Sequence, residues 1–192
     1  MPRASAAAAR QTAESVCEAG EELFSKEGYS AISLDDVAQA AGVTRGAVYH
    51  HFRSKSGLFA AVTARVQSRV ADAVVAAAAA AGGDPHERLR AGSHAFLDVI
   101  TSSSAARILL IDAPAVVGWD EWRRLDAEHS AAHLREALAD VGVRDELLDA
   151  TTALLSGAMN EAALWVMNAE NAEASRAHAH RVLDRILASV GP

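Results

Sequence analysis

Residues Ser33–Lys55 read SLDDVAQAAGVTRGAVYHHFRSK, and the fold is decided there. Ser33 is followed three positions later by Asp36, a near relative of the capping box that opens a helix. Leu34, Val37, Ala38 and Ala41 share one helical face, with Asp35, Asp36 and Gln39 opposite. Gly42 falls where that helix must end, because glycine adopts the left-handed conformation without steric cost. Val43 can plug the corner, and Thr44 can cap a second helix over Arg45–Phe52. Val48 and Phe52 then face inward, beside a contiguous arc of Arg45, Gly46, Tyr49 and His50. Positions 42 to 55 contain Arg45, Arg53, Lys55 and two histidines, and no acid. Two short helices at a tight turn, with a basic and aromatic outer face, fit a helix-turn-helix that lays its second helix in the major groove. They also fit an ordinary helical corner with a solvated basic rim.

Outward from this stretch, the 192 residues suffice for one large or two small domains with a real core. Hydrophobic residues make up 51%, much of it alanine, prolines number four, and strand-type alternation is absent, so an all-α chain is expected. The formal charge of −7 argues against a chain coated in nucleic acid but not against a small basic reading surface. The single Cys17 excludes an intramolecular disulfide and a thiolate metal cluster within one chain, and suits a reducing compartment. No apolar run is long enough for a bilayer, and the amino-terminal stretch lacks a signal-peptide core, so a cytoplasmic location is expected.

Along the chain, 1–9 is expected as a disordered arm. Gln11–Glu27 is an amphipathic helix, with Val16, Cys17, Gly20, Leu23 and Phe24 on its apolar arc. After the central motif come helices near Ser56–Ala81, Pro85–Ser102, Ala105–Ile111, Asp120–Val141, Asp145–Asn168 and Ala172–Val190. The Ala76–Ala81 run has the highest helix propensity available and reads as helix, stopped by Gly82 and Gly83. Asp84 can cap the next helix, with Pro85 at its first position. The expectation is about nine helices.

An amphipathic helix followed by GYSAISLDDVAQAAGVTRGAVYHHFRSKSGLF resembles the TetR family of bacterial transcriptional regulators. The segments G-Y-x-x-x-S, D-V-A-x-x-A-G-V and Y-x-H-F-x-x-K occur in order and correctly spaced, over roughly Gln11–Val62. The resemblance implies a three-helix DNA-binding unit at 1–55 and a helical ligand-binding and dimerisation bundle at 56–192. It implies that Ser33 and Thr44 offer hydroxyls or N–H groups to phosphates, and that Arg45, Gly46 and Ala47 face bases. Arg45 is the candidate for a bidentate contact to guanine. Tyr49 and His50 would meet the sugar-phosphate backbone, Lys55 would pair with a phosphate, and His51 would buttress the first helix. It implies a homodimer through the last two helices, about 145–190, on a palindromic double-stranded DNA operator. A repressor released by a small-molecule effector is expected, with an activator or a ligand-independent regulator as the alternative.

Effector-pocket candidates are Phe96, Trp119, Trp122, His129, His133, Met159, Asn160 and Trp165, with Asp112 and Glu161 as further polar anchors. The aromatics serve equally as core or as dimer interface. His129 and His133 are four apart on one helix, a metal-capable spacing, but HExxH would need glutamate at Ser130 and no third ligand is identifiable, so no metal and no cofactor are expected. An enzyme would need a nucleophile–base pair, a phosphate loop or paired carboxylates, and no such set is recognisable.

Overall fold

The computed structural model describes residues 2–102, 105–128 and 130–191. They form ten α-helices and one π-helical segment, with no strand among the described residues. The helices are α1 (Pro2–Glu27), α2 (Leu34–Ala40), α3 (Arg45–Phe52), α4 (Lys55–Ala80) and α5 (Pro85–Ser102). The π-helical Arg107–Asp112 leads into α6 (Ala113–Val117), α7 (Trp119–Glu128), α8 (Ser130–Asp140), α9 (Asp145–Met167) and α10 (Ala172–Leu187).

Three expectations change. Helix α1 begins at Pro2, not at Gln11, because the alanine-rich lead continues the helix. Asp120–Val141 is two helices, α7 and α8, and His129 between them lies outside the described residues. The third change comes from Pro114, in the first turn of α6. The Ala113 N–H bonds five residues back to Ile108 O, so Leu109 O falls to Pro114, which has no N–H to give. The buried Trp122 indole fills that vacancy, with Nε1 donating to Leu109 O at 2.7 Å.

Packing joins the elements around one continuous apolar cluster. Val16 and Phe24 of α1, Val37 of α2, Val48 of α3 and Leu58, Phe59 and Val62 of α4 are fully buried. Phe24 meets Phe59 edge-on, ring centroids 5.3 Å apart. Gly20 lets α1 lie close on α4: a Cβ there would stand 3.3 Å from Val62 Cγ2. Arg69 binds Glu21 at 2.6 Å and Arg65 binds Glu18 at 2.9 Å along the same seam. Burial raises the Cys17 thiol pKa on this seam, as its packing role anticipates.

The beginning of α4 therefore packs on the amino-terminal helices, and the helix also packs along α5. Asp84 caps α5 as expected, accepting from His86 N at 3.0 Å. Helices α5 and α10 are crosslinked by two interlocked pairs. His94 Nε2 lies 2.7 Å from Asp184 Oδ1 and His180 Nε2 lies 2.8 Å from Asp98 Oδ1, the imidazoles 4.2 Å apart.

Candidate nucleic-acid interface

The reading surface is assembled from local hydrogen-bond needs. Ser33 Oγ accepts from Asp36 N at 3.2 Å, and Ser33 N donates to Asp36 Oδ2 at 2.7 Å. Both bonds of the capping box are present, so aspartate serves where glutamate is usual. The Ser33 hydroxyl and then its backbone N–H hold the Asp36 carboxyl below the usual carboxylate range. At the other end of α2, Gly42 N donates to Gln39 O and Val43 N to Ala38 O, at 3.2 and 3.0 Å. This paired closure needs a left-handed residue, and Gly42 supplies φ +67°. Thr44 then opens α3, its Oγ1 accepting from Ala47 N at 3.2 Å.

With α3 so fixed, Val48 is buried and anchors it. Ser33, Thr44, Arg45, Gly46, Tyr49 and His50 are exposed on one side, and Ala47 is half-buried. Tyr49 is a large aromatic left in solvent, at 57% exposure. His51 is half-buried against Phe52, centroids 6.0 Å apart. Two of the expected DNA contacts are already engaged. Arg45 Nη1 donates to Asp35 Oδ2 at 2.9 Å. Lys55 Nζ donates to Ser30 O at 3.3 Å and sits 4.3 Å from the centre of the Tyr29 ring.

Comparison with known proteins accords with this geometry. Residues 16–62 match the family described as "Bacterial regulatory proteins, tetR family". Residues 86–190, more than half of the chain, match "Tetracyclin repressor-like, C-terminal domain". The chain belongs to the TetR family.

Among TetR-family relatives, the transcriptional regulator AcrR of Shigella flexneri is 34% identical over 110 residues, 57% of this chain and 51% of that protein. The chain thus spans about half of that relative's length. The transcriptional activator FasR of Mycolicibacterium smegmatis is 30% identical over 156 residues, 78% of this chain and 70% of that protein. A solved TetR-family transcriptional regulator from Pectobacterium atrosepticum superposes with a TM-score of 0.74 at 29% identity, covering 96% of each chain. The family is made up of transcriptional regulators, and no helix among the described residues is long and apolar enough to cross a membrane.

The remaining candidates divide. Phe96, His133 and Met159 line a cavity of about 370 Å³ between α4, α5, α8 and α9. Its walls are mainly aliphatic, with Ser93 and Ser156 and the Arg88–Asp140 pair, 3.6 Å apart, as polar features. Trp165, Glu161 and again Met159 line a second cavity of about 390 Å³ on the α9–α10 surface. Asn160 is buried on α9 and lines neither cavity. Trp122 is buried on the Leu109 carbonyl, and Trp119, 62% exposed, lies tilted against the Trp122 ring, centroids 5.0 Å apart. Asp112 lines neither cavity: its Oδ2 accepts from Tyr29 N at 3.0 Å, below α1.

Sequence reasoning missed two features. Arg107 Nη1 and Nη2 donate to the Lys26 and Glu27 carbonyls at 3.3 and 3.2 Å, closing the carboxyl end of α1. Gly28 makes room, since a Cβ there would stand 2.5 Å from Arg107 Nη2. The second is Gly57, where a Cβ would stand 2.1 Å from Phe52 O, so α3 and α4 meet through a position that admits only glycine. The Arg107 clamp has no local sequence signal, because its partners lie 81 and 80 positions away.

Proposed function

We propose that the chain is a homodimeric, operator-binding transcriptional repressor, released from DNA by a small-molecule effector, and not an enzyme. The observation that carries this is the exposed arc of Thr44, Arg45, Gly46, Tyr49 and His50 on a helix anchored by buried Val48. An α-helix fits the major groove, its amino-terminal residues meet base edges, and flanking hydroxyls and N–H groups meet phosphates. Residues 1–55 serve as the reading head and 56–192 as the sensing and dimerising part. Arg45, Gly46 and Ala47 face bases; Ser33, Thr44, Tyr49, His50 and Lys55 hold the backbone. Lys55 must leave Ser30 to do so.

Dimerisation is assigned to α9 and α10. Leu154 at 75% exposure, Trp165 at 51% and Val182 at 55% are large apolar side chains standing in solvent on these two helices. Self-complementary burial of such a face gives a two-fold dimer. Two reading heads then meet half-sites about 34–36 Å apart on a palindromic operator. The cavity holding Phe96, His133 and Met159 is the effector site; its size and apolar walls suit a small organic molecule. The protein acts in the cytoplasm, where its DNA is.

Titration of the full-length protein against the DNA upstream of its own coding region, by fluorescence anisotropy at several salt concentrations, tests this. Tight, salt-sensitive binding with two protomers per duplex is expected. Failure to bind any duplex at low salt overturns it. Because FasR is a transcriptional activator, activation is the second reading, separated by whether transcription rises or falls when the chain is deleted.

A further inference from the structure

We propose that Asp35 is a positioning residue for base recognition: it holds the Arg45 guanidinium as a fixed fork, so that Arg45 discriminates a base instead of gripping a phosphate. The inference rests on Arg45 reading a base, as proposed above.

Asp35 is the second residue of α2 and Arg45 the first of α3. The bond from Arg45 Nη1 to Asp35 Oδ2, 2.9 Å long, spans the turn between them. Both side chains are mostly in solvent, 68% and 60% exposed, so water screens the pair and it adds little to folding. The capping of α2 does not explain Asp35 either. That task falls to Asp36, whose carboxylate takes both the Ser33 N–H and the Ser33 hydroxyl.

Asp35 therefore puts a negative charge beside a surface otherwise free of acids from 42 to 55. On a surface meant for phosphates this repels the ligand and weakens binding to every sequence alike. The compensating gain is geometric. A guanidinium carries five N–H donors in a planar fork. Asp35 takes one of the two on Nη1, which leaves the edge formed by Nε and Nη2 for the O6 and N7 acceptors of guanine. A free arginine at this position swings between base and backbone. A tethered one favours that plane and, beside a carboxylate, gains less from a phosphate. Asp35 thus exchanges general affinity for selectivity.

The test uses the full-length protein and four variants, Asp35→Asn, Asp35→Glu, Arg45→Ala and the double variant Asp35→Asn with Arg45→Ala. Bound duplexes are selected from a randomised pool and sequenced, and titrations follow on preferred and scrambled duplexes, with thermal melts alongside. Arg45→Ala is expected to erase preference at one base pair of each half-site. Asp35→Asn is expected to bind scrambled DNA several-fold more tightly and to lose roughly two- to fivefold of the discrimination at that same base pair. Asp35→Glu is expected to restore part of it, and the double variant to show no further loss of base preference beyond Arg45→Ala.

Full preference at the Arg45-dependent base pair in Asp35→Asn overturns the role of Asp35 while leaving Arg45 in place. A uniform loss on all duplexes with a lowered melting temperature assigns Asp35 to structure alone and also overturns it. No change of preference in Arg45→Ala overturns the base-reading role of Arg45 and, with it, this inference.

Discussion

Replacing Gly46 with alanine separates stability from DNA binding. Gly46 is the second residue of α3, exposed, and its backbone has ordinary helical sign. A Cβ placed there has Thr44 Oγ1 as its nearest neighbour, at 3.8 Å, an ordinary contact. The methyl therefore meets no steric cost in the free protein. It removes the backbone entropy that glycine loses on folding, which is worth up to ~1 kcal/mol in a helix interior and less in a first turn. For a domain of this size that corresponds to a melting temperature higher by up to about 2–4 °C. The duplex changes the balance. If the start of α3 lies against base edges, the added methyl stands in the contact, and overpacking of a fitted surface costs about 1–3 kcal/mol. Affinity should then fall by about fivefold or more. A melt and an anisotropy titration on the same preparation suffice. A Gly46→Ala protein that melts higher and binds as tightly as the parent refutes the placement of this residue at the DNA. One that melts lower refutes the account of its free space.

Gly57→Ala is the opposite case: its Cβ would collide with Phe52 O at 2.1 Å, so thermal melts should show a loss of at least ~1–3 kcal/mol, with weaker binding to every duplex. Lys55→Ala should lower affinity on preferred and scrambled DNA alike and reduce the slope of log affinity against log salt by about 1 in size per half-site; an unchanged slope counts against Lys55 as a phosphate ligand. Leu154→Glu, at an exposed and apolar position on α9, should leave the helical circular dichroism intact while shifting sedimentation toward the monomer; an unaltered dimer would move the interface elsewhere.

The elements most legible in the sequence were those governed by near neighbours. The Ser33 box, the Gly42 closure and the Thr44 cap each involve residues within five positions, and each is present. The stop at Gly82 and the Asp84 cap follow for the same reason. The region after Ser102 was less legible because its geometry is set from a distance. Pro114 announces a disrupted helix, but the π-helical form depends on Trp122 arriving to take the Leu109 carbonyl. Residue type likewise marked Arg45 and Lys55 as cations for DNA without showing that Asp35 and the Tyr29–Ser30 corner hold them in the free chain. Tryptophan content drew attention to Trp119 and Trp122, whereas the central cavity is walled by small aliphatic side chains that carry no such signal.

The first three helices are joined to the rest of the chain at two separate places, and this would constrain how the proposed effector acts. One attachment is α4, a 26-residue helix about 39 Å long in which the Gly57–Phe52 contact lies about 26 Å from the cavity walls at Val74 and Val75. The other is the π-helical segment, where Arg107 holds the end of α1 and Asp112 holds Tyr29, whose ring in turn carries Lys55. If both attachments moved together, the head would follow as a rigid body and the fit to one half-site would survive, with only the spacing between heads changed. If α4 shifted against the π-helical segment, α1 would be strained between them, and Lys55 would be drawn with Tyr29. Arg107 ties the two together, its Nε 3.9 Å from Asp112 and its other nitrogens on the end of α1. An effector weakens DNA binding only to the extent that it favours one of these displaced states over the DNA-bound one. By linkage, operator DNA must weaken effector binding by the same factor, so coupling strength is measurable from either ligand.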